Sequence, residues 1–435
     1  MRAPIEGAPN WVPATIVLVA TVVFAGINIG NAAAYTPQWS QDLAFFHQLV
    51  HSAATGGPWA SPLILEPQGF WEMVHTHLAL PLVVGIYKIV PFQQTLLILH
   101  SFGASLALWP IFRLAESAAG GRHAILCVLA VLAFGPYQAV AIADFRPSVL
   151  FIPGILGIWA SAWRGSWVGL IAWSLVAIAG RQDATYLVAC CGIVLALLSW
   201  GKSKRTQGFF LVALAGVFWT IFWYLKPEMF FHINPTATTV WPTSTELWNN
   251  RLSFGLSILA SAWWFGLRSP AALVAAIPIL WGMLSTGREW HILGGPGAHH
   301  HGFWIPFVVA SGIVGSRAIP KGLGPLVLLI GSALSFPWVS MPTEASSLQR
   351  LTKQIPQSGR VAADYETIHS LSGRKTLWNI EQMYMQDRPR HWEKTWPITE
   401  EDVEWILMPS EHRLAERLDT WTVVDTVNSH VLLRR

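Results

Sequence analysis

The chain carries repeated apolar runs that are long enough to cross a lipid bilayer. A spanning helix needs about 20 apolar residues, because every backbone N–H and C=O inside the hydrocarbon must be paired within its own segment. Candidate spans lie near residues 11–31, 94–113, 123–141, 147–163, 166–180, 184–200, 208–225, 252–267, 270–286, 302–316 and 323–341. The sequence therefore predicts an all-α polytopic membrane protein with about 11 transmembrane helices, of which the first is an uncleaved span rather than a signal peptide.

Charged residues are concentrated in the last fifth of the chain. Residues 343–435 contain 12 Lys/Arg and 14 Asp/Glu, which is half of all charged residues, and the whole chain is only 12% charged. Soluble domains are about 25% charged. We therefore predict a transmembrane domain over 1–342 and a small soluble α/β domain over 343–435. No basic stripe typical of nucleic-acid binding is present.

The positions of Lys and Arg predict which loops face the cytoplasm. The segment 77–92, "HLALPLVVGIYKIVPF", is interrupted by Pro81, and we interpret it as re-entrant or lying on the membrane surface. With the N-terminus inside and 77–92 not spanning, every inside loop carries Lys or Arg, as the positive-inside rule requires. This topology predicts that the C-terminal domain is extracytoplasmic.

The first loop of the predicted outer face contains the sequence "WSQDLAFFHQLVHSAATGG" (39–57). Asp42 and Gln48 are its candidate functional residues, because ionisable and polar groups near a membrane are costly unless they serve a purpose. The spacing of its apolar residues also fits a simple interfacial helix, and that alternative stays open.

Two later outer loops contain charged residues at span boundaries. Asp144 lies in "ADFRPS" (143–148), just before a proline, where a carboxylate can instead cap the next helix. Arg181 and Asp183 lie in "AGRQDATYLV" (179–188), where a purely structural ion pair is the alternative.

The loop "GREWHILGGPGAHHHGFW" (287–304) is the densest in polar side chains and includes Arg288 and His301. Its consecutive histidines cannot all point in one direction, so a metal site here needs carboxylates from another loop. The alternative is an ordinary polar loop at the lipid headgroups. The cysteines, Cys127, Cys190 and Cys191, lie inside apolar runs and are typical of core packing.

The order of these motifs resembles a bacterial family of predicted membrane proteins, domain-of-unknown-function family 2079. The family's D-L-G-x-F-x-Q motif is similar to "DLAFFHQ" (42–48), and its D-F-H-P motif to "DFRP" (144–147). Its K-E-D motif is similar to "RQD" (181–183), while looser matches are "HLALP" at His77 and "HGFWIPF" at His301. The chain departs from the family pattern at Ala44, Arg146 and Gln182.

That family is similar to the GT-C type of glycosyltransferases, which use polyprenyl-phosphate-linked sugars. The resemblance implies a GT-C-like membrane domain with Asp42 and Asp144 as candidate catalytic acids. The candidate substrate-binding residues are Gln48, His77, Arg146, Arg181, Asp183, Arg288 and His301. A divalent cation such as Mg²⁺ or Mn²⁺, held by Asp42, Asp144 and His301, is left open.

The expected function is transfer of a sugar from a polyprenyl-phosphate donor to an acceptor that the sequence does not identify. Two rival hypotheses remain. One is a transporter or flippase, although transporters place charged groups near the midplane between repeats, and this chain has no internal repeat. The other is a non-catalytic member of the family that binds glycan or lipid.

Overall fold

In a computed structural model, helices make up most of the described residues between 8 and 335. The structure describes residues 8–34, 41–61, 63, 70–71, 75–198, 201–225, 256–269, 272–274, 298–319, 323–335, 347–364, 367–380 and 400–435, with a few single positions missing inside these ranges. The helices are α1 (Trp11–Ala34), α2 (Gln41–Ala54), α3 (Leu80–Ile89), α4 (Gln93–Ser105), α5 (Leu108–Ala119), α6 (Gly121–Leu132), α7 (Gly135–Ala141), α8 (Phe151–Arg164), α9 (Trp167–Gly180), α10 (Ala184–Leu198), α11 (Lys202–Leu225), α12 (Ile305–Ser316), α13 (Leu323–Ser335) and α14 (Ser347–Gln354). Short 3₁₀-helices cover Pro147–Leu150, Trp263–Arg268, Ala298–Phe303, Ile368–Leu371 and Glu400–Asp402.

Only some of these helices are long and apolar enough to cross a bilayer by themselves. Within the described residues they are Trp11–Ala33, Gln93–Ala119 and Lys202–Leu225, and α6 with α7 forms a fourth candidate that is bent by 70°. The predicted number of 11 spans is therefore not confirmed. Several predicted spans coincide with shorter apolar helices, among them α9, α10, α12 and α13.

The segment 77–92 folds as a short helix. α3 has 10 residues, which at 1.5 Å per residue gives about 15 Å, half the thickness of the hydrocarbon core. Other predicted spans also fold as short apolar helices, and the statement that 77–92 does not span stays a prediction. Leu80 and Tyr87 are buried, whereas Leu82 and Ile89 are exposed.

The membrane domain has one large core, to which α1, α4–α12 and their connections contribute. Small residues allow close helix packing, as in other membrane proteins. At the α10–α11 contact, a Cβ on Gly208 would lie 2.3 Å from the backbone nitrogen of Ala196.

The C-terminal part contains a five-stranded mixed sheet, in agreement with the predicted α/β domain. Its strands are β1 (Val361–Ala363), β2 (Leu377–Asn379), β3 (Trp405–Pro409), β4 (Thr422–Val427) and β5 (His430–Arg434). Their order is β2-β1-β3-β5-β4, with β1 parallel to β2 and β3, and β5 antiparallel to β3 and β4. The predicted boundary at residue 342/343 lies outside the described residues and stays a prediction.

One face of the sheet packs towards the membrane domain. Because side chains alternate along a strand, Val361 and Ala363 share a core with α14 and with Ala44 of α2, whereas Ala362 joins a separate core on the other face.

Hydrogen bonds hold the C-terminal domain at this place. The Gln93 amide donates to the Ser372 hydroxyl and to the His369 carbonyl, both at 2.8 Å. The His47 ring lies between Ser372 Oγ and the Tyr87 hydroxyl, each 2.8 Å away. The C-terminal domain therefore covers α2, which bears Asp42 at its start.

Candidate active site

Helix α2 brings the first candidate acid into the protein. Asp42 lies in the first turn of α2, where the helix dipole favours a carboxylate. Residues 43–50 are all buried, because α3 and the C-terminal domain cover the helix on different sides. Protein therefore encloses this helix on more than one side, while the alternative of a simple interfacial helix stays open.

The Arg146 side chain joins two carboxylates that are distant in sequence. Its guanidinium forms an ion pair with Asp42, and its Nε donates to Asp144 Oδ1 at 3.1 Å. The Arg146 and Asp144 side chains are only 10% and 6% exposed, whereas Asp42 is 28% exposed. One guanidinium thus contacts two carboxyl groups, and Asp42 is the most exposed of the three side chains.

The environment of Asp42 makes its carboxyl group a better base. Burial raises the pKa of Asp42, the Arg146 guanidinium lowers it, and the neighbouring Asp144 carboxylate raises it again, with burial dominating. A carboxylate whose pKa is raised holds an abstracted proton more firmly, which general-base chemistry near neutral pH requires.

Arg146 is positioned by a buried histidine. Its backbone N–H donates to His100 Nδ1 at 3.3 Å, while His100 Nε2 donates to the Val140 carbonyl at 2.8 Å. The histidine therefore fixes the turn between α7 and the 3₁₀-helix Pro147–Leu150, and with it the direction of the guanidinium.

A second charged pair lies in the turn between α9 and α10. Arg181 contacts Asp183 at 2.5 Å, and its guanidinium carbon lies 5.8 Å and 5.1 Å from the ring centres of Phe151 and Phe303. The Arg181 Nε is buried without a hydrogen-bond partner among the described residues. An arginine guanidinium held over aromatic rings at this turn is suited to bind an anion such as phosphate.

Two contacts bring the charged pairs to one end of the protein. The Phe46 ring lies 5.4 Å from His77 and 5.5 Å from Phe145, and His77 Nδ1 donates to the Gly180 carbonyl at 2.6 Å. Gly180 itself approaches the backbone just after Arg146, since a Cβ there would lie 2.9 Å from the Pro147 carbonyl oxygen. The two turns thus meet because residue 180 has no side chain.

Metal-ligating side chains do not cluster among the described residues. No group of three or more His, Cys, Asp or Glu residues lies together in the part of the chain that the structure describes. Between Asp42 and Asp144 the Arg146 guanidinium provides the positive charge.

A family comparison identifies this chain. The family model described as "Predicted membrane protein (DUF2079)" matches residues 40–420. The chain belongs to the DUF2079 family. Its predicted membership is confirmed, and the family description agrees with a membrane location. None of the curated protein sequences matches the chain.

The fold is similar to that of ArnT from Cupriavidus metallidurans. The apo structure aligns with a TM-score of 0.59 and 13% identity, covering 97% of this chain and 98% of that chain. The structure bound to undecaprenyl phosphate aligns with a TM-score of 0.60 and 13% identity, covering 98% of both chains. The TM-scores show a shared fold, and at 13% identity they show the fold alone.

Two departures from the DUF2079 motifs have clear structural roles. Arg146, which replaces a histidine of the motif, supplies the guanidinium that joins Asp42 to Asp144. Gln182 replaces a glutamate. Its side-chain oxygen accepts from the Thr76 backbone N–H at 2.9 Å, and its backbone N–H donates to the Thr76 carbonyl at 3.1 Å. These bonds hold the segment just before His77.

Other predicted site residues of this DUF2079 member have different surroundings. The Gln48 amide accepts from Ser61 Oγ at 2.7 Å and donates to the Arg374 carbonyl at 3.3 Å, so it contacts the C-terminal domain. His301 is fully buried, and its Nδ1 accepts from Trp304 Nε1 at 3.1 Å. Arg288 lies outside the described residues. The substrate-binding roles assigned to these three residues stay predictions.

Sequence reasoning missed the residues that position the charged groups. His100 lies inside an apolar run with nothing to mark it as a partner of Arg146. Phe151 and Phe303, which contact Arg181, resemble ordinary membrane aromatics. A weak signal was available for Phe303, because it follows His301 in the motif "HGFWIPF".

Proposed function

We propose that the protein is a GT-C type membrane glycosyltransferase, which takes a sugar from a polyprenyl-phosphate donor at the outer face of the cytoplasmic membrane. The observation that carries the proposal is the pair of acids, Asp42 and Asp144, joined through Arg146 beside the turn of Arg181. The shared fold with a protein whose structure holds undecaprenyl phosphate supports it.

In the proposed reaction, Asp42 removes the proton from an acceptor hydroxyl. The acceptor oxygen then forms a bond to the anomeric carbon of the sugar, while the bond from that carbon to the donor phosphate oxygen breaks. The electron pair leaves with polyprenyl phosphate, and Arg181 stabilises the charge that develops on it. Asp144 and Arg146 hold the Asp42 carboxylate in position.

One observation favours a non-catalytic alternative. Arg146 and Arg181 both have carboxylate partners already, as expected of charges whose role is structural. In that case the protein binds a lipid or glycan without transferring the sugar, and Asp42 has no proton to accept.

The test is a cellular one with neutral isosteres of the acids. Asp42→Asn and Asp144→Asn are expressed in a deletion strain of the native host, with Asp425→Asn of the C-terminal sheet as matched control, and glycolipids and surface glycans are profiled by mass spectrometry. The proposal expects one glycan species to be lost on deletion, restored by the wild type and the control, and absent with either site variant. Profiles that are identical in all strains, or restoration by both site variants, would contradict it.

The outer location is tested separately. Alkaline phosphatase, which is active only outside the cytoplasm, is fused after Arg435. The proposed topology expects an active enzyme; an inactive phosphatase together with a fluorescent cytoplasmic reporter at the same place would refute it.

A further inference from the structure

A cavity lies among α8, α10, α11 and α12, away from the candidate active site. Its volume is about 230 Å³, whereas one water takes about 30 Å³. Most of its lining is apolar; the lining residues include Trp159, Trp163, Leu195, Ala310 and Val314, and Lys204 is its charged member. A space of this size and polarity accommodates a length of hydrocarbon chain.

Two cations meet at one indole ring beside this cavity. Lys204 Nζ lies 4.8 Å from the centre of the Trp163 ring, and the Arg317 guanidinium carbon lies 4.9 Å from it. Lys204 is half-buried and Arg317 is exposed. Neither forms an ion pair with a carboxylate among the described residues. Two uncompensated positive charges close together attract an anion.

The cavity lies at the opposite end of α8 from the candidate active site. Phe151, which contacts Arg181, begins α8, and Trp163 comes 12 residues later. At 1.5 Å per residue the two are about 18 Å apart along the helix. A ligand at Trp163 therefore does not touch the candidate acids.

We propose that this cavity is a binding site for an anionic phospholipid of the leaflet opposite to the candidate active site. The phosphate-bearing headgroup contacts Lys204 and Arg317 beside Trp163, and the first part of one acyl chain enters the apolar cavity. Basic pockets between membrane helices are known to bind anionic headgroups. The complementarity here is twofold, since both the charge and the apolar lining match one molecule.

The experiment is lipid titration of the whole detergent-purified chain, read by native mass spectrometry. Dioleoylphosphatidylglycerol is the anionic probe and dioleoylphosphatidylcholine the zwitterionic one. The test variant is Lys204→Gln/Arg317→Gln, and the matched control is Arg122→Gln/Lys202→Gln, which removes the same charge from exposed positions that neither line the cavity nor contact Trp163. Thermal unfolding without added lipid checks that each variant is folded.

The proposal expects the wild type to prefer the anionic lipid. Each lysine or arginine near a headgroup contributes about fivefold, so the test variant is expected to bind phosphatidylglycerol roughly 30-fold more weakly. The control is expected to lose only a few fold. Equal losses in both variants would show general surface attraction and overturn the proposal, as would equal binding of the two lipids by the wild type. Equally tight binding of soluble glycerol phosphate would contradict the role of the cavity.

Discussion

Removal of the Arg146 guanidinium should strongly destabilise the protein. In Arg146→Met the Asp42 and Asp144 carboxylates lose the positive charge between them while staying in place. Breaking a buried ion pair from one side costs about 3–5 kcal/mol. Asp42 is 28% exposed, and water therefore compensates part of its charge. We expect a loss of unfolding free energy at the lower end of this range, about 3 kcal/mol.

A double variant separates charge from packing. Asp144→Asn in the Arg146→Met background removes one of the two uncompensated charges. If electrostatics causes the loss, the double variant should be more stable than the sum of the single effects predicts, by about 1–2 kcal/mol. Arg164→Met, an exposed arginine at the end of α8, is the control and should change stability by less than about 0.5 kcal/mol.

The assay is equilibrium unfolding in mixed micelles of mild detergent and dodecyl sulfate, followed by tryptophan fluorescence. Free energies are compared across the four variants of the cycle. Strictly additive effects, or an Arg146→Met protein as stable as the wild type, would refute the reasoning that Arg146 holds the two acids together.

Three further predictions concern the C-terminal contact, the joining of the two turns and the anion site. Burial, with the nearby His51 ring adding to it, lowers the pKa of His47 from 6.5 to about 4, so the unfolded chain binds more protons between these values. The free energy of unfolding should therefore be highest above pH 6.5 and fall by about 1 kcal/mol per pH unit towards pH 4. His47→Gln should flatten this slope, and an unchanged slope in that variant would contradict the prediction. Gly180→Ala should lower stability and any transfer activity, because its Cβ would meet the Pro147 carbonyl oxygen at 2.9 Å. Gly85→Ala in helix α3, with nothing within 4 Å, should leave activity unchanged and raise the melting temperature slightly. Equal losses in both variants would contradict the close approach. Arg181→Lys should weaken undecaprenyl phosphate binding about tenfold in a competition assay, because an ammonium cannot bind phosphate through two parallel N–H groups, and unaltered affinity would contradict the assignment.

Local patterns were sufficient to predict much of the architecture. Apolar runs marked most of the described helices, whereas Pro81, predicted as an interruption, lies in the first turn of α3. In the tail, the predicted α/β domain agrees with the five-stranded sheet and α14. Strand β2 gave no signal, because three residues are too few to show a period and it exists only through its parallel register with β1.

The site could be predicted only as a set of residues. Asp42, Asp144 and Arg146 were all recognised by their motifs, but no sequence rule pairs side chains that are about a hundred positions apart. For Gln48, the motif did not indicate the contacts that the structure shows. Its motif suggested substrate binding, whereas the structure gives it partners at Ser61 and, 326 positions away, at Arg374. Contacts made by the C-terminal domain depend on how that domain packs, and local periodicity contains no information on this.

The most direct measurement of the proposed donor site is a cryo-electron microscopy map of the purified protein saturated with undecaprenyl phosphate. Density for the phosphate within hydrogen-bond distance of Arg181, with Asp42 open to the same space, is the predicted result. Phosphate density only beside Lys204 at the far end of α8, or Asp42 closed off from the bound lipid, would contradict the assignment of this end of the protein as the place of sugar transfer.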